Sequence, residues 1–132
     1  MDTFLTSINT VTSNQPQITT LRVRDPLMGW RVRPICDLIM IRGAKGYSWL
    51  YWRDGSQQVM AYTLKHYEFM LPLNRYIRVH QNCVVNREFI QKVHRTRNDP
   101  QLNLFTGEKI SISRRRWLFV KQAMNTDRDA GL

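Results

Sequence analysis

The chain has little from which to build a covalently or metal-stapled fold. Its two cysteines, Cys36 and Cys83, are far apart and form no C-x-x-C pair, so neither a disulfide framework nor a zinc site is expected, and both thiols read as reduced, small packing residues. No apolar run approaches the roughly 18 residues of a membrane span. Met1-Asp2-Thr3-Phe4-Leu5 has neither the basic region nor the apolar stretch of a signal peptide. Met1-Asp2 lacks a myristoylation glycine, and the end Ala130-Gly131-Leu132 lacks a prenylation cysteine. A cytoplasmic protein with no membrane partner is expected. Acids are scarce as well: 10 Asp and Glu stand against 20 Lys and Arg, a formal charge of +10. Such a field attracts polyanions, and nucleic acid is the commonest of these in a cell. Histidines 66, 80 and 94 have no partners at the spacing of a metal site or of a nucleophile and its base. No catalytic residue, metal or cofactor is therefore expected.

What is present suffices for one domain. The 132 residues include 42% hydrophobic side chains and four tryptophans, enough for a core of its own. Residues 1–20 lack Lys and Arg and are rich in Ser, Thr, Asn and Gln, the composition of a flexible tail or linker. Phe4, Leu5, Ile8 and Val11 recur at helical spacing, so a short helix docking on another chain is the other reading. Residues 127–132 are expected to be a C-terminal tail, which leaves 21–126 as the folded domain.

From Leu21 the pattern changes. Leu21-Arg22-Val23-Arg24 and Trp30-Arg31-Val32-Arg33 alternate around a loop at Pro26 to Gly29, which predicts two short strands with their arginines on one face. Cys36 to Ile41 is an apolar run that suits a buried strand or a helical turn. Gly43-Ala44-Lys45-Gly46 reads as a flexible loop with one lysine at its tip. Tyr47 to Trp52 and Gln57 to Tyr62 flank Asp54-Gly55, a hairpin signal. Tyr47, Trp49, Tyr51 and Trp52 could stack single-stranded bases, although alternating aromatics fill a sheet face in any case. Thr63 can cap a short helix carrying Leu64, Tyr67 and Leu71, stopped by Pro72, with His66 and Glu68 on its surface.

The central stretch is Arg75 to Asn86. Ile77 and Val79 alternate with Arg78 and His80, so a strand would bury the first pair and present the second to a partner. Gln81-Asn82 then breaks the alternation with two side-chain amides, groups that can read an adenine edge or bridge to a phosphate. Val84-Val85 returns to the core, and Asn86 is a turn residue. Beyond it come a strand at Phe89 to His94, a turn at Asn98-Asp99-Pro100, and a hairpin that pairs Leu102 to Leu104 with Lys109 to Ile112 across Thr106-Gly107. Ser113 caps a last helix with Trp117, Val120 and Met124 on one side. Arg114, Arg115 and Arg116 fill its first turn, where the helix dipole favours negative charge. Such a turn suits a waiting anion; three arginines that merely solubilise a helix end are the plainer reading.

As an ordered set these pieces resemble the LytTR domain, the DNA-binding module of many bacterial response regulators. The set is the short helix Thr63 to Pro72, then Arg75 to His80 with Val84-Val85-Asn86, the Thr106-Gly107 hairpin, and Ser113-Arg114 before the final helix. The resemblance implies an elongated, mostly β fold of several sheets with short helices, which lays loops into the grooves of duplex DNA. Its contacting regions would fall at Lys45, at the tip His80, Gln81 and Asn82, and at Ser113, Arg114, Arg115 and Arg116. Arg114 would take a guanine edge, with Arg78, Arg115 and Lys45 on phosphates. Where the family carries Arg-Ser after the histidine, this chain has Gln81-Asn82, so the contacts there differ in detail. Binding as a homodimer on DNA is expected, as a bacterial transcription regulator without a receiver domain of its own. The alternatives are an RNA or single-strand binder using the aromatic strand, and an interaction module that titrates a related regulator.

Overall fold

The structure, a computed structural model, describes residues 18–97 and 99–130, with side chains up to residue 125. The expected tail, up to residue 17, lies outside the described residues. Strands β1 (Thr20–Asp25) and β2 (Gly29–Pro34) form a hairpin, and a 3₁₀ turn at Ile35–Asp37 leads into β3 (Leu38–Ala44). Then come β4 (Tyr47–Trp52), β5 (Gln57–Met60), helix α1 (Leu64–Met70), β6 (Tyr76–His80) and β7 (Cys83–Asn86). A second 3₁₀ turn at Arg87–Phe89 precedes β8 (Ile90–Thr96), β9 (Asp99–Leu104), β10 (Lys109–Ser111) and helix α2 (Arg114–Ala130). Helix α2 takes in most of the stretch expected to be a C-terminal tail. Three antiparallel sheets result, β1-β2, β5-β4-β3-β7-β6 and β10-β9-β8, so the fold is mostly β, as expected. Among the described residues no helix is long and apolar enough to cross a membrane.

The five-stranded sheet is covered on both faces. On one side Leu38, Ile41, Leu50 and Val84 pack against Leu21 and Val23 of β1, Leu64 and Tyr67 of α1, and Leu71 just after it. On the other, Ile39, Met40, Val79 and Val85 pack against Ile90 and Leu102 of the three-stranded sheet and Val120 of α2. Burial on both faces is why Leu38 to Ile41 of β3 and Cys83 to Val85 of β7 run continuously apolar rather than alternating. The pairing of β3 with β4 shifts between Leu38 and Met40. A bulge of this kind adds one residue to a strand, and here it lets Ile39 and Met40 share one face while Leu38 and Ile41 share the other.

Local chemistry fixes the ends of these elements. The Thr63 hydroxyl accepts the His66 N–H at 3.2 Å, which makes it the expected cap of α1. Pro72 follows and ends the helix. The first hairpin departs from expectation, because Arg33 lies opposite Leu21 and Arg31 opposite Val23, whereas Arg22 and Arg24 lie opposite Val32 and Trp30. Directly opposed residues share a face, so the four arginines divide between two faces. Arg33 is buried over the Trp52 ring at 4.1 Å and bonds Asp54 and Ser56. The turn expected at Asn98-Asp99-Pro100 starts earlier, with Arg97 at φ 60, and Pro100 is a residue of β9. Proline fits there because its carbonyl supplies the pairing, accepting the Ile112 N–H at 3.0 Å. Cys83 is buried as expected, whereas Cys36 is exposed.

Asn86 joins these layers. Fully buried, it donates from Nδ2 to the Leu38 carbonyl at 3.0 Å and accepts the Glu88 N–H at 3.0 Å. Beside it the Tyr76 hydroxyl donates to the Ile35 carbonyl at 2.6 Å. Asn86→Ala should lower the unfolding free energy by about 1–3 kcal/mol, because the buried Leu38 carbonyl loses a donor and the Glu88 N–H its acceptor. Urea titration measures this; parental stability would show that water takes the place of the amide.

Candidate nucleic-acid interface

One end of the central sheet carries two tight turns. The first, Lys45-Gly46, connects β3 to β4, with Ala44 opposite Tyr47 and φ values of 41 and 90 at its two residues. Two central residues at positive φ twist a hairpin in the sense the strands require, and glycine takes one of them without strain. The chain therefore forms a two-residue turn, with Lys45 exposed, where a flexible loop was expected. Gly43 belongs to β3 and has another purpose. A Cβ there would lie 3.1 Å from Leu64 Cβ, so its lack of a side chain lets α1 approach the sheet.

The second turn is Gln81-Asn82, between His80 and Cys83, which are paired across the β6–β7 hairpin. Its backbone is held from several directions. The Gly43 N–H donates to the Asn82 carbonyl at 2.9 Å. Arg78 donates from Nε to the His80 carbonyl and from a terminal nitrogen to the Gln81 carbonyl. The Asn82 N–H donates to His80 Nδ1 at 3.2 Å. A backbone N–H can only donate, so Nδ1 is the acceptor and a neutral ring carries its proton on Nε2. Both side-chain amides of the turn are left exposed, with no partner among the described residues.

The start of α2 docks beside this turn. The Ser113 N–H donates to the Val79 carbonyl at 2.9 Å, and the Ser113 hydroxyl accepts the Arg116 N–H at 3.2 Å, as its expected role as a cap requires. His80, Arg97, Asp99, Ser111, Ser113 and Arg114 line one open hollow of about 780 Å³. The structure thus brings together the Lys45 turn, the His80-Gln81-Asn82 tip and Ser113-Arg114, which are dispersed in sequence. Arg114 and Arg115 are exposed and unpaired among the described residues.

Two of the expected arginines face inward. Arg78 is held by its two carbonyls and by an ion pair with Glu68 of α1. It braces the turn, where presentation to a partner was expected, and Glu68 is correspondingly no mere surface residue. Arg116 reaches back to the Arg78 carbonyl at 3.5 Å. Sequence patterning passed over Arg42, Arg95 and Arg97, all exposed. Arg42 lies opposite Cys83, between the two turns. The alternation in His94-Arg95-Thr96-Arg97 was the available signal for the other two. The aromatic strand is divided: Tyr47 and Trp49 are exposed, Trp52 is buried and bonded to Gln58, and Tyr51 packs on the second core. Burial pushes the Cys83 thiol up to about 11, so it is an inert packing group.

Comparison with known proteins agrees with this fold. A family model described as the LytTr DNA-binding domain matches residues 29–125. A solved LytTr DNA-binding domain from Bacillus cereus superposes with a TM-score of 0.71 at 18% identity, over 81% of this chain and 97% of that one. At that identity the likeness concerns the fold alone. No curated protein matches the chain.

The inward placement of Arg78 has a measurable consequence. Arg78→Ala should cost about 1.5–3 kcal/mol of stability, the range for hydrogen bonds to a charged group, and should speed amide exchange at Asn82. Glu68→Gln should cost less, because an acceptor remains. Parental stability in Arg78→Ala, read by urea unfolding, would return this arginine to the surface set.

Proposed function

The chain belongs to the LytTr DNA-binding domain family, and on that premise we propose that it reads specific duplex DNA sequences, as a transcription regulator, with two hairpin turns and the start of its last helix. The observation that carries this reading is the convergence at one sheet end. The Lys45-Gly46 and Gln81-Asn82 turns are joined by the Gly43–Asn82 bond, and Ser113-Arg114 is joined to β6 by the Ser113–Val79 bond. Tight turns can enter a groove where a helix is not needed, and their held backbones need little ordering on binding.

Roles follow from chemistry. Arg114 can donate two parallel bonds to guanine O6 and N7. Gln81 and Asn82 each offer a donor and an acceptor on one plane, which matches adenine. His80 offers its Nε2 proton to an acceptor. Lys45 and Arg115 are suited to phosphates, where charge matters more than shape. A single copy offers few reading groups, so we infer that two copies bind as a homodimer on similarly oriented half-sites about one helical turn apart.

Arg114→Ala should cost about 1–3 kcal/mol on a duplex selected from a random pool and much less on unselected DNA. Lys45→Ala should weaken both alike and make the plot of log K against log salt shallower by about 1. With roughly six phosphates engaged, the parental slope should lie near −5. Competition titrations at several salt concentrations measure all three. A flat salt dependence would remove DNA as the partner, and equal losses from Arg114→Ala on both duplexes would reassign that arginine to the backbone.

Tandem half-sites give a separate test. A duplex carrying two half-sites should bind cooperatively, and moving one by half a turn should abolish the gain. Equal affinity for one site and for two would contradict paired binding.

A further inference from the structure

The hollow beside Arg114 has a second basic wall that the three expected contact regions leave out. Arg97 lines it together with His80 and Arg114, and Arg95 lines an adjoining hollow with Pro100, Arg114 and Trp117. Arg114 thus borders both. Arg95 and Arg97 lie two residues apart at the end of the β8–β9 hairpin, both exposed, and neither has a hydrogen-bond or ion-pair partner among the described residues. The Arg95 guanidinium lies 5.9 Å from the Trp117 ring centroid, which gives it a resting place on α2. Among the described residues Asp99 is the only acid in the lining, and it accepts a bond from Gln101 at 2.9 Å.

We propose that Arg95 and Arg97 form a fourth DNA-contacting element, which holds the sugar–phosphate backbone bordering the groove that Arg114 enters. This inference rests on the reading of Arg114 given above. A side chain that reaches base edges lies between the two phosphate strands bounding its groove, so cations on the far wall of the same hollow face one of those strands. Unpaired guanidiniums on an open wall can neutralise phosphates, and such contacts position the protein without regard to sequence. The turn also places Arg97 at φ 60, in the left-handed region that non-glycine residues seldom occupy. Its side chain is thereby set on the hollow from the turn itself.

The experiment uses the full chain, a duplex selected by it from a random pool, and an unselected duplex of equal length. Each of Arg97→Gln and Arg95→Gln should weaken both duplexes about fivefold near 0.15 M salt and make the salt slope shallower by about 0.9. Arg97→Lys should restore most of the affinity, since a phosphate needs the charge and not the fork. Ethylation of phosphates on one flank of the Arg114 contact should interfere with the parent and not with the double variant Arg95→Gln/Arg97→Gln. Parental affinity and slope in both single variants, with Arg114→Ala still losing the selected duplex, would overturn this inference and leave the proposed function standing. Loss confined to the selected duplex, or failure of Arg97→Lys to recover, would overturn the backbone assignment. No duplex binding by the parent would instead defeat the proposed function, and this inference with it.

Discussion

Everything at the end where the turns converge depends on a sheet that is buried on both faces. Such a sheet cannot slide, because a one-residue slip would send each buried side chain to the wrong core. The bulge between Leu38 and Met40 secures this further by giving each core its own pair of β3 residues. At the far end of β3 from the tight turns, Asn86 and Tyr76 tie the chain to the Ile35 and Leu38 carbonyls. With register fixed there, Ala44 and Cys83 have determined places at the other end, and the turns that follow them are set side by side. The precision of the surface is inherited from packing some distance away.

Charge is distributed with the same economy. Among the described residues Asp25, Asp37, Asp54, Glu68 and Glu88 form ion pairs with Arg31, Arg53, Arg33, Arg78 and Arg75. The exposed ones among them, such as Arg53 with Asp37, contribute little stability, but all five neutralise basic side chains. Hydrogen bonds from Ser56, with Arg33 beside it, hold the Asp54 carboxyl below its ordinary range. That contribution is fully present above the unfolded carboxyl value and fades as pH falls through the lower folded one. Lys45, Arg95, Arg97, Arg114 and Arg115 have no acid partner among the described residues. The charge of these five side chains near the converging turns is therefore not neutralised by an ion pair.

Much of this was legible in the sequence because it is local. Thr63 and Ser113 announce helix starts, Asp54-Gly55 and Thr106-Gly107 announce hairpins, and Ile77 with Val79 announces a buried face, all of which the structure contains. What escaped depends on pairing between distant segments. Alternation shows that Arg31 and Arg33 share a face, but only the register with β1 decides that this face is the one of Leu21 and Val23. Arg78 looks like an outward residue until α1 brings Glu68 to it. Lys45 looked like the tip of a mobile loop because glycines flank it, yet one glycine serves the turn and the other serves the helix packed above. Family resemblance named the three regions as a set, whereas the hydrogen bonds that make them neighbours in space belong to the fold.

The start of α2 shows how such a surface can favour its ligand before meeting it. Its first turn has no acid and three arginines, an arrangement that opposes the helix dipole by about 0.3–1 kcal/mol for each charge. Arg116 escapes part of this by donating to the Arg78 carbonyl, but Arg114 and Arg115 have no such outlet. A polyanion placed there removes the repulsion among the arginines and complements the dipole in one step, so the free protein is less stable than it could be by an amount that binding returns. On the proposed reading, the residues that make the unbound helix end unfavourable are those that engage DNA, Arg114 at a base edge and Arg115 at a phosphate. An acid in that turn would stabilise the free domain and weaken its hold on DNA.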